Sequence, residues 1–196
     1  MNYILLGAAG FLLMHLLDFA SMKGVLVIKP VLWLLGTGML VVAAVMTAVT
    51  GPELPLPLWL APMGWVLLFV SVYMMVYSLY VALPFGKTYV EPGSSGQLVT
   101  GGLYRLVRHP WLLFFALSMG GLTLASRSIL ALEAGIIWTV LSAGLVYLQD
   151  RWIFPRMFPG YTAYQKVTPM LVPTKNSLSA FLKGLKRNKL SEVQTK

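Results

Sequence analysis

The stretch Leu122-Thr123-Leu124-Ala125-Ser126-Arg127-Ser128-Ile129-Leu130-Ala131 decides how this chain folds. Two apolar runs, residues 110–125 and 128–150, meet at Ser126-Arg127-Ser128, and a link that short returns the second run antiparallel beside the first. Both runs are apolar enough for membrane helices, although the first is short for a crossing. Three further apolar runs precede this hairpin, at residues 4–22, 25–50 and 58–84. The second stops at Gly51-Pro52-Glu53-Leu54-Pro55-Leu56-Pro57 and the third at Pro84-Phe85-Gly86, because Pro lacks a donor and Pro and Gly together break a helix. The pattern predicts an all-α fold: an integral membrane bundle of five transmembrane helices, with a C-terminal cytoplasmic segment folded over the helix ends. Residues 1–173 form its single domain, and residues 174–196 form a cytoplasmic tail.

Composition agrees with that reading. Of 196 residues, 58% are hydrophobic and 11% charged, a balance that a soluble domain does not have. The absence of Cys excludes disulfides, thiolate nucleophiles and thiolate metal ligands. Two His and six acidic residues, scattered along the chain, argue against a metal cage, so no metal is expected. A net charge of +9 in a membrane protein reports topology before it reports nucleic acid, and no nucleic-acid partner is expected. Lys23, Lys29, Lys87, Arg105, Arg108 and the tail cations fall on one side of a five-span arrangement, and Arg127 stands on the other. The N-terminus is therefore expected outside and the tail in the cytoplasm. Met1-Asn2-Tyr3-Ile4 lacks the basic start of a cleaved signal and reads as the beginning of a retained span. Small size and minimal loops suit a bacterial or archaeal inner membrane.

Residues 86–109 form the longest polar interruption, and they are the candidate cofactor loop. The loop closes with Tyr104-Arg105-Leu106-Val107-Arg108-His109-Pro110, where Pro110 suits the first turn of a helix and Arg108 and His109 stand at its mouth. Free N–H groups and the positive dipole end favour an anionic group there. The plainer reading is an interfacial Arg/His pair that marks where a span begins. On the other arm of the hairpin, Gln149-Asp150-Arg151 brings an amide and a carboxylate to the same interface. A ligand with both an amine and a carboxylate would find Asp150 for the first and Arg108 or His109 for the second. Alternatively, Asp150 neutralises Arg108, Arg151 or Arg156.

Other chemistry-bearing residues have quieter alternatives. His15 and Asp18 share a face of the first span, as a proton-handling pair or as a pair that satisfies itself while two helices pack. Tyr73, Tyr77 and Tyr80 make one stripe in the third span, either a groove lining or interfacial packing. Glu133 is expected to pair with Arg127 or to snorkel. In the tail, Lys183, Lys186, Arg187 and Lys189 accompany Leu178, Phe181, Leu182 and Leu185. That pattern suits either an amphipathic helix on anionic membrane lipids or a disordered basic end.

The segment 86–173 resembles the isoprenylcysteine carboxyl methyltransferase and phospholipid methyltransferase superfamily of integral membrane methyltransferases. The resemblance rests on Leu98-Val99-Thr100-Gly101-Gly102-Leu103-Tyr104-Arg105 leading into Arg108-His109-Pro110, on the hairpin, and on Phe158, Tyr161, Tyr164, Pro169 and Pro173. It implies S-adenosylmethionine as cofactor, bound at the cytoplasmic face, and a lipid, isoprenoid or other apolar acceptor arriving through the bilayer. Carried over by position, it implies Tyr104, Arg108 and His109 on the cofactor from the loop, Gln149 and Asp150 from the end of the last span, and Tyr161 and Tyr164 closing from the tail. It names no catalytic residue. Where the family has two acids after the last span, this chain has Gln149-Asp150. The position of His15 in the first span keeps open a membrane reductase or isomerase using another cofactor, and the missing second acid keeps open a non-catalytic membrane partner protein.

Overall fold

A computed structural model describes residues 2–22, 28–82 and 98–194, with the backbone alone at 17–22, 28–29 and 186–194. The first half of the loop read from the sequence, residues 86–97, lies outside the described residues, as does the side chain of Asp18. Helices α1 (Asn2–Met22) and α2 (Ile28–Thr50) come first, and Pro30 sits in the first turn of α2, where its missing N–H costs nothing. Helix α3 (Leu60–Val76) runs on through a wider π-helical turn, Tyr77–Val81. A 3₁₀ turn at Gly102–Arg105 then leads to α4 (Pro110–Ser126), which has Pro110 at its N-terminus. Helix α5 (Ile129–Leu148) continues through a second π turn, Gln149–Ile153, into the short α6 (Phe154–Met157). Short α7 (Tyr161–Val167) and long α8 (Lys175–Gln194) complete the chain. Thr174 and Ser177 fix the start of α8 reciprocally: each backbone N–H bonds the other's hydroxyl oxygen, at 2.9 and 3.2 Å.

Among the described residues, three stretches are long and apolar enough to cross a membrane: Pro30–Thr50, Leu60–Val81 and Ile129–Met157. Asn2–Leu16 and Pro110–Ser126 are shorter apolar helices. At 1.5 Å per residue the 17 residues of α4 reach about 25 Å, just under the hydrocarbon thickness. The last long helix extends past residue 150, where the sequence pattern ends it. The chain stays helical through the π turn, and Pro155 stands in the first turn of α6, where its missing N–H is tolerated.

Helices pack closely where side chains are absent. A Cβ on Gly10 would lie 2.7 Å from the Gly36 carbonyl oxygen, and one on Gly36 would lie 2.8 Å from that of Gly10, so α1 and α2 touch backbone to backbone. Gly64 and Gly121 do the same for α3 and α4. Fully buried Trp138 ties α5 to α1, its indole N–H donating to the Ile4 carbonyl at 2.9 Å while its ring lies over Gly7. Phe11, Leu112, Phe115 and Met119 fill the adjoining core, with Phe11 edge-on to Phe115 at 5.1 Å.

At the hairpin turn, Arg127 takes a left-handed backbone conformation, φ 53°, and its side chain pairs with Glu53 at 2.8 Å rather than with Glu133. Glu53 is brought there by the backbone: Leu54 N–H donates to the Arg127 carbonyl and Ile129 N–H to the Pro52 carbonyl. Ser128 caps α5, accepting the Ala131 N–H and donating its hydroxyl to the Thr47 carbonyl at the end of α2.

Candidate functional site

Asp150 stands in the π turn at the end of α5, buried, and side chains from two other segments, the turn before α4 and helix α7, close on it. Arg108 grips it with two bonds, Nε to Oδ1 at 2.8 Å and Nη2 to Oδ2 at 2.7 Å. The Tyr161 hydroxyl donates to Oδ1 at 2.6 Å, His109 Nε2 lies 3.3 Å from the same oxygen, and the Gln165 amide donates to Oδ2 at 3.1 Å. A carboxylate offers about four lone-pair directions, so Asp150 is saturated. Arg108 is equally occupied, because its Nη1 donates to the carbonyls of Gln165, at 3.1 Å, and of Thr168. Backbone bonds run beside these contacts: the N–H groups of Arg108 and His109 donate to the carbonyls of Pro169 and Met170, at 2.9 and 3.2 Å. The loop before α4 is thereby stitched to the chain that follows α7.

The two π turns supply acceptors that an α-helix would use up. In a regular helix the Phe154 N–H takes the Asp150 carbonyl, but here it takes that of Gln149, and the released Asp150 carbonyl accepts the Gln165 amide at 2.8 Å. In α3 the Ala82 N–H takes the Tyr77 carbonyl in place of Ser78, and the freed Ser78 carbonyl accepts the Tyr104 hydroxyl at 2.9 Å. Tyr164 in turn donates its hydroxyl to the Tyr104 carbonyl. One chain of bonds therefore joins α3, the 3₁₀ turn and α7.

Aromatic rings surround the polar group. His109 stacks on Phe154 at 5.7 Å and 17°, and Phe154, Phe158, Tyr161 and Tyr164 follow ring to ring at 5.4–6.4 Å. Burial pushes the phenols of Tyr104, Tyr161 and Tyr164 well above their ordinary value, and the Asp150 charge pushes Tyr161 further, so all three stay neutral donors. Burial alone lowers the Arg108 guanidinium, yet the bonds and charge of Asp150 outweigh it and leave that group above its usual value.

Of the residues picked out in the sequence, Arg108, His109, Asp150 and Tyr161 meet directly. Tyr104 and Tyr164 are joined to each other through the Tyr104 carbonyl, and Tyr164 meets Tyr161 edge to ring at 5.8 Å. Gln149 turns away: its amide nitrogen lies 3.0 Å from Nδ1 of His15, joining α5 to α1. Gln165 escapes the sequence reading, although it lies four residues after Tyr161 and so on the same face of α7. Tyr73 and Tyr77 stack on each other while largely exposed, and Tyr80 meets Trp33 edge-on at 6.1 Å, away from this cluster.

Residues 60–153, which run from the start of α3 to the second π turn, match the family model described as phospholipid methyltransferase. The family is one of membrane methyltransferases, and three helices long enough to cross a bilayer agree with that setting. The match takes in Tyr104, Arg108, His109, Gln149 and Asp150 and stops before Tyr161, Tyr164 and Gln165. No curated protein and no solved structure matches the chain.

Proposed function

We propose that the chain is an S-adenosylmethionine-dependent methyltransferase acting on a lipid, isoprenoid or other apolar acceptor. In this reading α1 to α5 are five spans, the N-terminus is outside, and the Asp150 cluster and α8 are cytoplasmic. The observation that carries it is the buried cluster itself: the methyltransferase-family segment ends in a polar centre that α4, α5 and α7 build together.

The donor set fits such a cofactor in kind. A run of flat rings adjoins the Arg108–Asp150 pair, as suits a purine. A Cβ at Gly101 or Gly102 would meet no described atom within 4 Å, and Gly102 holds φ 54°, so the loop presents bare backbone beside the cluster. Because Asp150 and Arg108 saturate each other, we assign them to positioning. Tyr104, His109, Tyr161 and Tyr164 would hold the cofactor, and Gln149 works with His15 on the α1 side. When bound, S-adenosylmethionine supplies a methyl group on a sulfonium leaving group. The chain's part is to fix both reactants and keep water out, which is most of what in-line transfer asks of a protein.

Isothermal titration of the full chain in detergent with S-adenosylmethionine and its demethylated product tests this. Wild type should bind both, and His109→Ala should weaken binding by about tenfold, the equivalent of one good polar contact, while melting as a folded protein. A folded wild type that gives no heat with either compound ends the methyltransferase reading.

A further inference from the structure

Helix α8 presents two different faces. At 100° per residue, Ser177, Phe181 and Gly184 fall within about 60° of one another, and so do Leu178, Leu182 and Leu185, the second group lying about a quarter-turn from the first. The first face is turned inward. Ser177 is buried, and Gly184 lies against the Arg105 guanidinium so closely that a Cβ there would overlap Nη1. Arg105 ends the 3₁₀ turn that precedes Arg108 and His109. The second face is bare: Leu178, Leu182 and Leu185 are 46%, 50% and 50% exposed. Val172, in the segment that leads into α8, is exposed as well.

Charge decides what covers that face. Helix α8 carries five cations, Lys175, Lys183, Lys186, Arg187 and Lys189, against the single acid Glu192. By helical position Lys175, Lys183 and Lys186 form a band on the side of the leucine face away from Gly184, Lys189 stands at the leucine face itself, and Arg187 lies beyond the band. Seen end-on, the order is bundle, apolar face, cations. A helix lying in a membrane interface has that order when it also leans on a membrane-embedded bundle, with leucines in the acyl boundary and long cations reaching headgroups.

We infer that α8 docks on anionic lipid headgroups beside the bundle and, through the Gly184–Arg105 contact, clamps the turn that carries Arg108 and His109. The inference goes beyond the chemistry proposed above and does not depend on it. The occupant is an anionic lipid surface: a protein groove suited to three leucines does not require a band of cations beside them, whereas each cation near an anionic leaflet adds to binding.

The chain has no Cys, so Leu182→Cys gives a single site for a polarity-sensitive fluorophore in the full-length protein. Reconstituted into vesicles of phosphatidylcholine mixed equally with phosphatidylglycerol, the probe should emit further to the blue than in phosphatidylcholine alone. A probe at Ser179→Cys, on the cationic side, should shift far less. Adding Lys175→Glu and Lys183→Glu should raise the anionic lipid needed by on the order of tenfold or more. Equal emission at Leu182→Cys in the two vesicles, an equal shift at Ser179→Cys, or indifference to the charge reversal overturns the docking. The clamp has its own readout, hydrogen exchange at residues 102–109. Anionic vesicles should slow it several-fold in the wild type and not in Gly184→Val, which wedges α8 off Arg105. Exchange that ignores lipid charge in the wild type overturns the clamp.

Discussion

Each end of the helical hairpin holds an arginine–carboxylate pair, and the two could hardly be built more differently. Arg108 and Asp150 meet at 2.7 Å with 9% and 8% of their side chains exposed, in a two-bond grip that three further side chains complete. Arg127 and Glu53 meet at a nearly equal 2.8 Å, but Glu53 is 70% exposed. Distance alone would rank them together. Burial separates them: an exposed pair exchanges one solvated arrangement for another, while a buried pair has given up water and needs every remaining bond made inside the protein. At Asp150 those bonds reach α4, α7 and the segment after it, so the pair holds together segments that are distant in the chain.

Breaking the buried pair should therefore produce the largest effect. Asp150→Ala leaves a guanidinium buried without its counter-charge and strips Tyr161, His109 and Gln165 of an acceptor, which should cost about 3–5 kcal/mol in reversible unfolding in detergent. Asp150→Asn keeps the shape and some of the bonds while removing the charge, and should fall between that variant and the wild type. If Asp150→Ala instead melts within a degree of the wild type, the cluster is not a structural hub.

Much of this contrast is legible in the residues themselves. The apolar runs and their Pro/Gly stops mark out the helices, and the short Ser126-Arg127-Ser128 link puts residues 108–110 and 149–151 at one end. Arg108, His109, Asp150 and Tyr161 are readable as a convergent set for that reason. The partners of Gln149 and the part played by Gln165 are not. The second π turn shifts the hydrogen-bond register by one residue and releases the Asp150 carbonyl to Gln165, while Gln149, at the start of that turn, meets His15 on α1. Pro155 is a sequence cue that a helix is interrupted there, but nothing in the residue types says that the interruption will be a widened turn rather than an end. Arg127 shows the converse error. Counting along α5 offers Glu133 as its partner, but the backbone bonds from Leu54 and Ile129 bring Glu53 from a remote loop to lie beside it.

The opposite end is held by neutral groups, and Ser128 is the chief of them. Its hydroxyl donates to the Thr47 carbonyl at 2.7 Å and its oxygen caps α5 at Ala131, so one small side chain satisfies groups on two helices. Ser128→Ala should cost about 1–2 kcal/mol, less than the loss of Asp150 and more than the loss of any charge at the turn. Parallel melting of the two variants tests that order. A larger loss for Ser128→Ala would mean that the hairpin turn, not the polar cluster, limits stability.

The smallest effect is expected from the residue that looks most like a salt-bridge partner. Glu53→Gln removes the charge facing Arg127, yet the Leu54 and Ile129 backbone bonds and the Ser128 cap all survive, and these hold the turn in place. Glu53 is 70% exposed and the Gln side chain still offers Arg127 an amide oxygen, so the loss should stay below about 1 kcal/mol and should shrink further as salt is raised. Measured beside Asp150→Asn, which also exchanges one carboxylate for an amide, it isolates burial as the variable. Equal losses from the two substitutions would show that the 2.7 and 2.8 Å contacts matter through distance, and that the environment separating them here counts for little.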